Sequence, residues 1–351
     1  MTNQTHLQEK AYRIHLEKKT SVMRGYLDGI DYGHLCSEII PSPVKDGYRN
    51  RAKFKIYPRD EKIELKGTDP VQGETPYEEA LWILPEWGRE LVKQITEIIS
   101  SAYQDFPVDG FEIQLTHGRN EAHITLSVKR AIVHPYSELA QTLLAEISAV
   151  KGIAVPSQKK EFGEAFLNHS LLNADILAHY DAFFQSNLHL TPELLTEVMS
   201  ICVQSPPAEI VDVYCGVGLF SLFIGKKGSR ILGVDSHGKA IESAQINVAK
   251  MGLKDASYVC SSAEEFVEES NLGCPDIILI DPPRAGCQPQ VISKIASVRS
   301  PKICLVSCAI DTHVRDLVQW KRKGYIPVSF QAFDMFPFTE FIETVTLLSR
   351  Q

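Results

Sequence analysis

Two periodicities divide this chain. From Tyr48 to Tyr57, Tyr48, Ala52, Phe54 and Ile56 fall on one side and Arg49, Arg51, Lys53 and Lys55 on the other. Period two predicts a strand with one apolar and one basic face. Beyond residue 208 the pattern changes: short, continuously apolar runs alternate with amphipathic stretches of helical period. Strands are predicted over 209–214, 231–234, 257–260, 276–281 and 302–307, and helices over 219–226, 238–251, 289–298 and 312–322. A run such as Ile277-Ile278-Leu279-Ile280 is what a parallel sheet covered on both faces requires. Segments 326–333 and 341–349 read as a terminal antiparallel hairpin.

The first half is more mixed. Residues 5–26 predict a helix whose partly apolar face carries Leu7, Ala11, Ile14, Leu16 and Val22. Pro41-Ser42-Pro43 breaks the chain. A helix follows over 86–101, then strands over 110–117 and 121–129 about the turn Thr116-His117-Gly118-Arg119-Asn120, a helix over 136–149, and short strands within 152–182. A length of 351 residues suits two domains. The boundary is expected within 170–185, giving domains 1–175 and 176–351.

Composition narrows the classes. Hydrophobic residues make up 44 % of the chain, enough for a sizeable core. No apolar run approaches the roughly 18 residues of a membrane span, and the first residues show no basic-then-apolar signal pattern. A cytoplasmic location is therefore expected. The eight cysteines (36, 202, 215, 260, 274, 287, 304 and 308) include no CxxC pair, so no metal or iron–sulfur cluster is expected. A net charge of −8 argues against indiscriminate nucleic-acid binding but leaves room for a local basic surface. Residues 45–59 offer one: Lys45, Arg49, Arg51, Lys53, Lys55 and Arg59 against Asp46. The competing reading is a lysine-guarded edge strand.

The candidate chemistry sits at predicted strand ends. Asp212-Val213-Tyr214-Cys215-Gly216-Val217-Gly218 closes the first strand of the second half and opens a helix. Gly216 and Gly218 allow a tight turn and close backbone approach to a ligand. Asp235 ends the next strand, where a carboxylate grips ribose hydroxyls. Ser221 replaces the third glycine of a dinucleotide loop, and Asp212 adds a negative charge that repels a pyrophosphate and attracts a sulfonium. S-adenosylmethionine is thus favoured over a nicotinamide dinucleotide. Asp281-Pro282-Pro283-Arg284 ends the fourth strand, either beside the ligand crevice or as a simple turn. Cys308 ends the fifth, where the helix near Thr312 would help to stabilise a thiolate; Cys304, inside the strand, is expected to be a buried thiol. Glu343 interrupts an apolar strand, which is costly unless it is paired, used, or turned to solvent on an edge.

Together these residues resemble the RNA uracil-5-methyltransferase family from about residue 40 to the C-terminus. The likeness is carried by Tyr48-Arg49-x-Arg51-Ala52-Lys53-Phe54, Phe183-Phe184-Gln185-x-Asn187, the Asp212–Gly218 loop, Asp281-Pro282-Pro283-Arg284-x-Gly286, Ser307-Cys308 with Thr312 and Arg315-Asp316, and Asp334-Met335-Phe336-Pro337-x-Thr339 with Glu343. It implies an α/β fold: a Rossmann-like class I methyltransferase domain, mostly parallel with a C-terminal antiparallel hairpin, preceded by an α+β RNA-binding domain. It further implies S-adenosylmethionine as cofactor, transfer or ribosomal RNA as partner, and a monomer. Cys308 would be the nucleophile and Glu343 the base; Gln185, Tyr214, Gly216, Gly218, Asp235 and Asp281 would serve the cofactor. Phe183 would meet the extruded uracil, and Arg49, Arg51, Lys53 and Lys55 the phosphates. There are departures. Ala309-Ile310 stands where the family has Asn-Pro, Phe338 and Phe341 stand for histidines, and Asp235 for a common glutamate. A methyltransferase for another RNA base and a catalytically silent RNA-binding protein remain the alternatives.

Overall fold

The computed structural model describes residues 3–59, 62–69, 73–128, 136–201, 207–225, 228–269 and 272–351. Two compact units emerge: Met1–Lys45 with Asp181–Phe184 and His189–Gln351, and Asp46–Tyr180 with Gln185–Leu188. This differs from a single boundary after residue 175, because the first 45 residues join the C-terminal unit. Helix α1 (Asn3–Asp28) explains the difference. Ala11, Ile14 and Val22 are exposed, Leu16 is only half-buried, and the side chain of Leu7 lies outside the described residues. The buried stripe is instead Tyr12, Lys19, Met23 and Leu27, which also recurs at helical spacing. Met23 and Leu27 share a core with Leu317 and Trp320, while Tyr12 and Lys19 hydrogen-bond to Asp334.

The unit centred on residues 46–180 holds β1 (Arg51–Arg59), β2 (Lys62–Asp69), β3 (Gly73–Thr75), α2 (Tyr77–Trp82), α3 (Glu86–Ala102), β4 (Val108–Leu115), β5 (Ala122–Val128), α4 (Ser137–Glu146), β6 (Val150–Val155), β7 (Lys160–Gly163), β8 (Phe166–Leu171) and β9 (Ala174–His179). Its main sheet runs β3-β2-β1-β4-β5-β6-β7, and β8 and β9 form a separate ribbon. Among the described residues of this unit only β5 and β6 pair in parallel, with α4 between them in sequence. The alternation in β1 is kept: Ala52, Phe54 and Ile56 are buried with Phe111, Ile113 and the apolar stripe Leu91, Val92, Ile95 and Ile99 of α3. However, β1 pairs on both sides, with β2 and β4. Its lysines therefore do not guard an edge. The side chain of Arg59, Cys202, and the ends of the predicted elements at 129 and 226 lie outside the described residues.

The other unit continues with α5 (Thr191–Ser200), β10 (Glu209–Val213), α6 (Leu219–Ile224), β11 (Arg230–Asp235), α7 (Gly238–Met251), β12 (Ala256–Cys260), α8 (Ala263–Glu269), β13 (Ile277–Ile280), α9 (Pro289–Val298), β14 (Lys302–Ser307), α10 (Ile310–Arg322), β15 (Tyr325–Phe333) and β16 (Glu343–Arg350). The strand order is β12-β11-β10-β13-β14-β16-β15. The first five run parallel; β16 is inserted antiparallel between β14 and β15. This is a Rossmann-like class I methyltransferase fold with its order reversing between β10 and β13, the position at which such sheets open a ligand crevice. All four residues of β13 are buried, as their unbroken apolar run demands. Because β16 runs backwards, its first residue, Glu343, shares an edge with the last residues of β14. No helix among the described residues is long and apolar enough to cross a membrane.

Trp320 anchors α10 and is fully buried, with no hydrogen-bond partner for its ring nitrogen among the described residues. Its contribution is therefore packing. Trp320→Ala should cost about 3–5 kcal/mol in urea unfolding, whereas Trp320→Phe, which loses no hydrogen bond, should cost less than half as much. Equal losses would show that the ring nitrogen carries the stability.

Candidate active site

Strand register builds the site. Val213 pairs with both Val234 and Ile280, Ile280 with Leu305, and Ser307 with Thr344. Continuing to the strand ends brings Tyr214, Asp235, Asp281, Cys308 and Glu343 along one rim. Thr344 Oγ1 donates to the Ser307 carbonyl at 3.1 Å, fastening β14 and β16 where the thiol and the carboxyl emerge. Glu343 is 4 % exposed and lies on an interior strand, so the solvent-facing alternative does not hold. Cys304 is buried within β14, as expected.

The glycine loop turns through left-handed backbone at Tyr214, Gly216 and Gly218, with φ of 64°, 55° and 80°. At Gly218 a β-carbon would come within 2.9 Å of the Tyr258 hydroxyl, and at Gly233 within 2.3 Å of the Tyr258 ring. Tyr258 is therefore the wall against which both glycines close. Its hydroxyl lies 2.8 Å from Ser221 Oγ, which is why a serine serves where a dinucleotide loop has its third glycine. A β-carbon at Gly216, in contrast, would meet open space. The Asp235 carboxylate accepts from the amides of Gly216 at 2.9 Å and His237 at 2.8 Å, fixing its orientation beside that space.

Acid charge is concentrated here. Burial, together with the Asp235 carboxylate, pushes Asp212 up to about 7, although hydrogen bonds from Ser221 oppose the shift. Burial and the charges of Asp212 and Asp235 push Asp281 up to about 7. Glu343 is raised well above the usual range by burial and Asp281, with Arg284 opposing. Cys308 is pushed up to about 12 by burial, Glu343 and Asp281, while Arg284 lowers it by charge and hydrogen bonding. The expected help from the following helix does not prevail: α10 begins at Ile310, yet the thiol rests protonated. The residues fit a cationic, ribose-bearing cofactor. An open cradle at Gly216, an oriented carboxylate at Asp235 and repelling acids at 212 and 281 would be relieved by a sulfonium and burdened by a pyrophosphate.

Arg284, unassigned by sequence, opposes the upward shift of both Cys308 and Glu343. Its guanidinium sits 4.3 Å from the centre of the Phe341 ring. Its loop is pinned from α10: Thr312 Oγ1 donates to the Arg284 carbonyl at 3.0 Å, Arg315 Nη2 to the Ala285 carbonyl at 2.7 Å, and the Cys287 amide to Asp316 at 2.7 Å. Arg315 and Asp316 are themselves paired at 2.7 Å. Gly286, at φ 75°, leaves no room for a side chain beside that pair. The motif residues Thr312, Arg315 and Asp316 thus hold the loop that carries the cation.

The remaining candidates are distributed differently. Phe183 belongs to the same unit as the rim and is 61 % exposed. Gln185, 6 % exposed, and the basic residues of β1 belong to the other unit. There Arg51 and Lys53 both pair with Glu112 of β4, and Lys55 pairs with Glu74 of β3 at 3.0 Å. Arg51 also donates to the Tyr180 carbonyl at 2.9 Å, and the Arg49 backbone bridges to Asn187. The basic face is therefore substantially neutralised within its own unit.

A family model described as tRNA (uracil-5-)-methyltransferase matches residues 11–351. An uncharacterized RNA methyltransferase of Halalkalibacterium halodurans is 33 % identical over 189 residues, which span 53 % of this chain but only 41 % of that protein. One from Nanoarchaeum equitans is 29 % identical across 97 % of this chain and 76 % of its own length. In fold, the chain is similar to the crystal structure of the Pyrococcus abyssi tRNA (uracil-54, C5)-methyltransferase in complex with S-adenosyl-L-homocysteine. The TM-score is 0.75 at 23 % identity, covering 96 % of this chain and 83 % of that one.

The acid cluster carries a stability signature. With Asp212 moved from 3.8 to about 7, the folded chain retains a proton that the unfolded chain has released. Stability should thus fall as pH rises between about 4 and 7 and level off above. Asp212→Asn should narrow the gap in unfolding free energy between pH 5 and pH 8 by up to about 3 kcal/mol. An unchanged gap in urea titrations would mean that Asp212 does not bear this burden.

Proposed function

The chain belongs to the tRNA (uracil-5-)-methyltransferase family, and we propose that it transfers a methyl group from S-adenosylmethionine to carbon 5 of a uridine in transfer or ribosomal RNA through a transient Cys308–uracil bond. The observation that carries this reading is the meeting of a thiol and a buried carboxyl at neighbouring strand ends, beside the acid-rich cradle. Asp235 would hold the ribose, the Gly216–Gly218 backbone would pass close to the cofactor, and Tyr214 and Asp281 would line its pocket; Gln185 is a further proposed cofactor ligand. When bound, S-adenosylmethionine supplies an electrophilic methyl carbon on a positively charged sulfur.

Carbon 5 of uracil is a weak nucleophile. Cys308, once its proton has left, adds its sulfur to carbon 6, and the ring electrons move to make carbon 5 nucleophilic. After carbon 5 has gained the methyl carbon, Glu343 takes the carbon 5 proton. The electron pair of that C–H bond restores the ring double bond, and the sulfur–carbon 6 bond breaks, returning the thiolate. Cys308 and Glu343 rest protonated because burial and nearby acids disfavour more charge. Any positive charge brought beside Asp281 lowers both by the same Coulomb interaction acting in reverse, so the residues become reactive only in the loaded site. Arg284 supplies part of that charge permanently. A stacked base must be turned out to reach Cys308, at a cost of a few kcal/mol; exposed Phe183 offers a face on which it can stack. Arg49, Arg51, Lys53 and Lys55 are the proposed phosphate ligands, and for the last three phosphate would compete with Glu112 and Glu74.

The decisive test is cofactor-dependent methylation of RNA lacking 5-methyluridine, with the product mapped to a base. Cys308→Ala should abolish turnover and leave cofactor binding near normal; retained turnover removes the covalent route. Glu343→Gln should slow turnover by about 10²–10⁴-fold and leave an RNA–protein adduct that survives denaturation. Absence of both effects excludes Glu343 as the base. A wild-type protein that binds RNA without labelling it would favour the silent alternative, and label on another base would favour the other. Glu112→Gln should strengthen RNA binding and steepen its salt dependence by about one unit of slope for each further phosphate neutralised. An unchanged slope would leave the β1 cations a purely structural role.

A further inference from the structure

The loop from Asp334 to Ile342 delivers Glu343 to the rim, and α1 holds it at several points. The Lys19 ammonium, 4 % exposed, donates to Asp334 Oδ1 at 2.5 Å, the Phe336 carbonyl at 3.1 Å and the Phe341 carbonyl at 2.7 Å. All three of its protons are thereby used, at the beginning, near the start and at the end of one loop. Tyr12 donates to the other Asp334 oxygen at 2.6 Å and receives the Ser42 amide at 2.9 Å. His15 Nε2 lies 2.9 Å from the Thr339 carbonyl. Asp334 is fully buried, and the Lys19 charge compensates it.

This geometry has a chemical consequence. Phe341 is two residues from Glu343, and its ring carries the Arg284 guanidinium. Lys19 grips the backbone of that same residue. One ammonium on the N-terminal helix therefore bears on both the carboxyl and the cation that opposes the charge burden of Cys308. We propose that Lys19 is a positioning residue for the methyl-transfer site: by closing the Asp334–Phe341 loop it sets where Glu343 and Arg284 stand relative to Cys308. It is too deeply buried beneath the loop to be a phosphate ligand. The proposal rests on the functional reading above for its kinetic consequence, but not for the loop geometry itself.

The test uses the full chain with Lys19→Met, and with Lys19→Gln, which still donates to Asp334, in case the first fails to fold. Expected for Lys19→Met are unchanged dissociation constants for S-adenosylmethionine and for the noncovalent RNA complex. Its kcat should fall by about 10²-fold, the scale of a misplacement near 1 Å. The fraction of enzyme recovered as denaturation-resistant RNA adduct should rise, because removal of the carbon 5 proton becomes slow relative to sulfur addition. A kcat equal to wild type, or a loss of cofactor affinity in step with kcat, would overturn the proposal, the latter by showing a general loosening of the unit. Amide hydrogen exchange without RNA separates this claim from the identity of the methylated base. Residues 338–345 should lose protection in Lys19→Met while β14 keeps its own. Unaltered protection over 338–345 sinks the positioning role whatever the enzyme methylates; altered protection in a protein that methylates no uridine leaves it standing and removes only the functional reading.

Discussion

Like charges held together away from water are the constraint on which this molecule is organised. Asp212, Asp235, Asp281 and Glu343 converge on one rim because parallel strands end there and the antiparallel β16 begins there. Asp235 raises the proton affinity of Asp212, both raise that of Asp281, and Asp281 raises that of Glu343. In an inert protein such a cluster would be a liability, since one unpaired buried carboxylate already costs several kcal/mol. The fold tolerates it by raising the proton affinity of Asp212, Asp281 and Glu343 and by placing the Arg284 guanidinium against Glu343. On the proposed function, what destabilises the free chain would also prepare a seat for a cation and keep the thiol protonated until the seat is filled.

Holding that guanidinium takes more structure than the acids do. Arg284 leaves β13 on a proline-stiffened loop whose carbonyls are gripped by Thr312 and Arg315 of α10. Its charged end rests on Phe341, whose backbone is gripped in turn by Lys19 of α1. Two helices far apart in sequence thus meet at one side chain. The need for both accounts for the unit's composition: the first 45 residues belong with the mostly parallel sheet because they complete the support of its loops.

This support is also what sequence reasoning reads least well. The strands of the mostly parallel sheet are legible, since a buried parallel strand such as Ile277–Ile280 has no polar alternate to hide. The place of the rim residues is legible as well, because glycines, Cys308 and Glu343 stand at strand ends where the pattern breaks. The face of α1 is not. Counting apolar residues selects Ile14 and Val22, which face solvent, and passes over Lys19, which is buried only because Asp334, 315 positions later, neutralises it. The state of the thiol is hidden for the same reason: the helix that follows it is visible in sequence, but the acids that outweigh the helix come from other strands. In β1 the period-two pattern shows which side is wet but not that β2 and β4 flank it, nor that Glu112 and Glu74 answer its cations.

The departures from the family's pattern become intelligible in these terms. A histidine at 341 could stack on Arg284 only while neutral, and protonation would set two cations against each other. Phenylalanine offers the ring face with no proton to gain, so the hold on Arg284 does not change with pH. Phe338 adopts φ 61°, a conformation that costs a bulky residue on the order of 1–3 kcal/mol. Its ring lies 5.5 Å from that of Tyr12 and 5.8 Å from that of His15, both on α1. The aromatic contacts offset the strain, and the turn they stabilise is the one whose Thr339 carbonyl meets His15. Both substitutions therefore exchange a titratable ring for an apolar one where α1 and the Glu343 loop support each other, which favours a fixed loop over a pH-sensitive one.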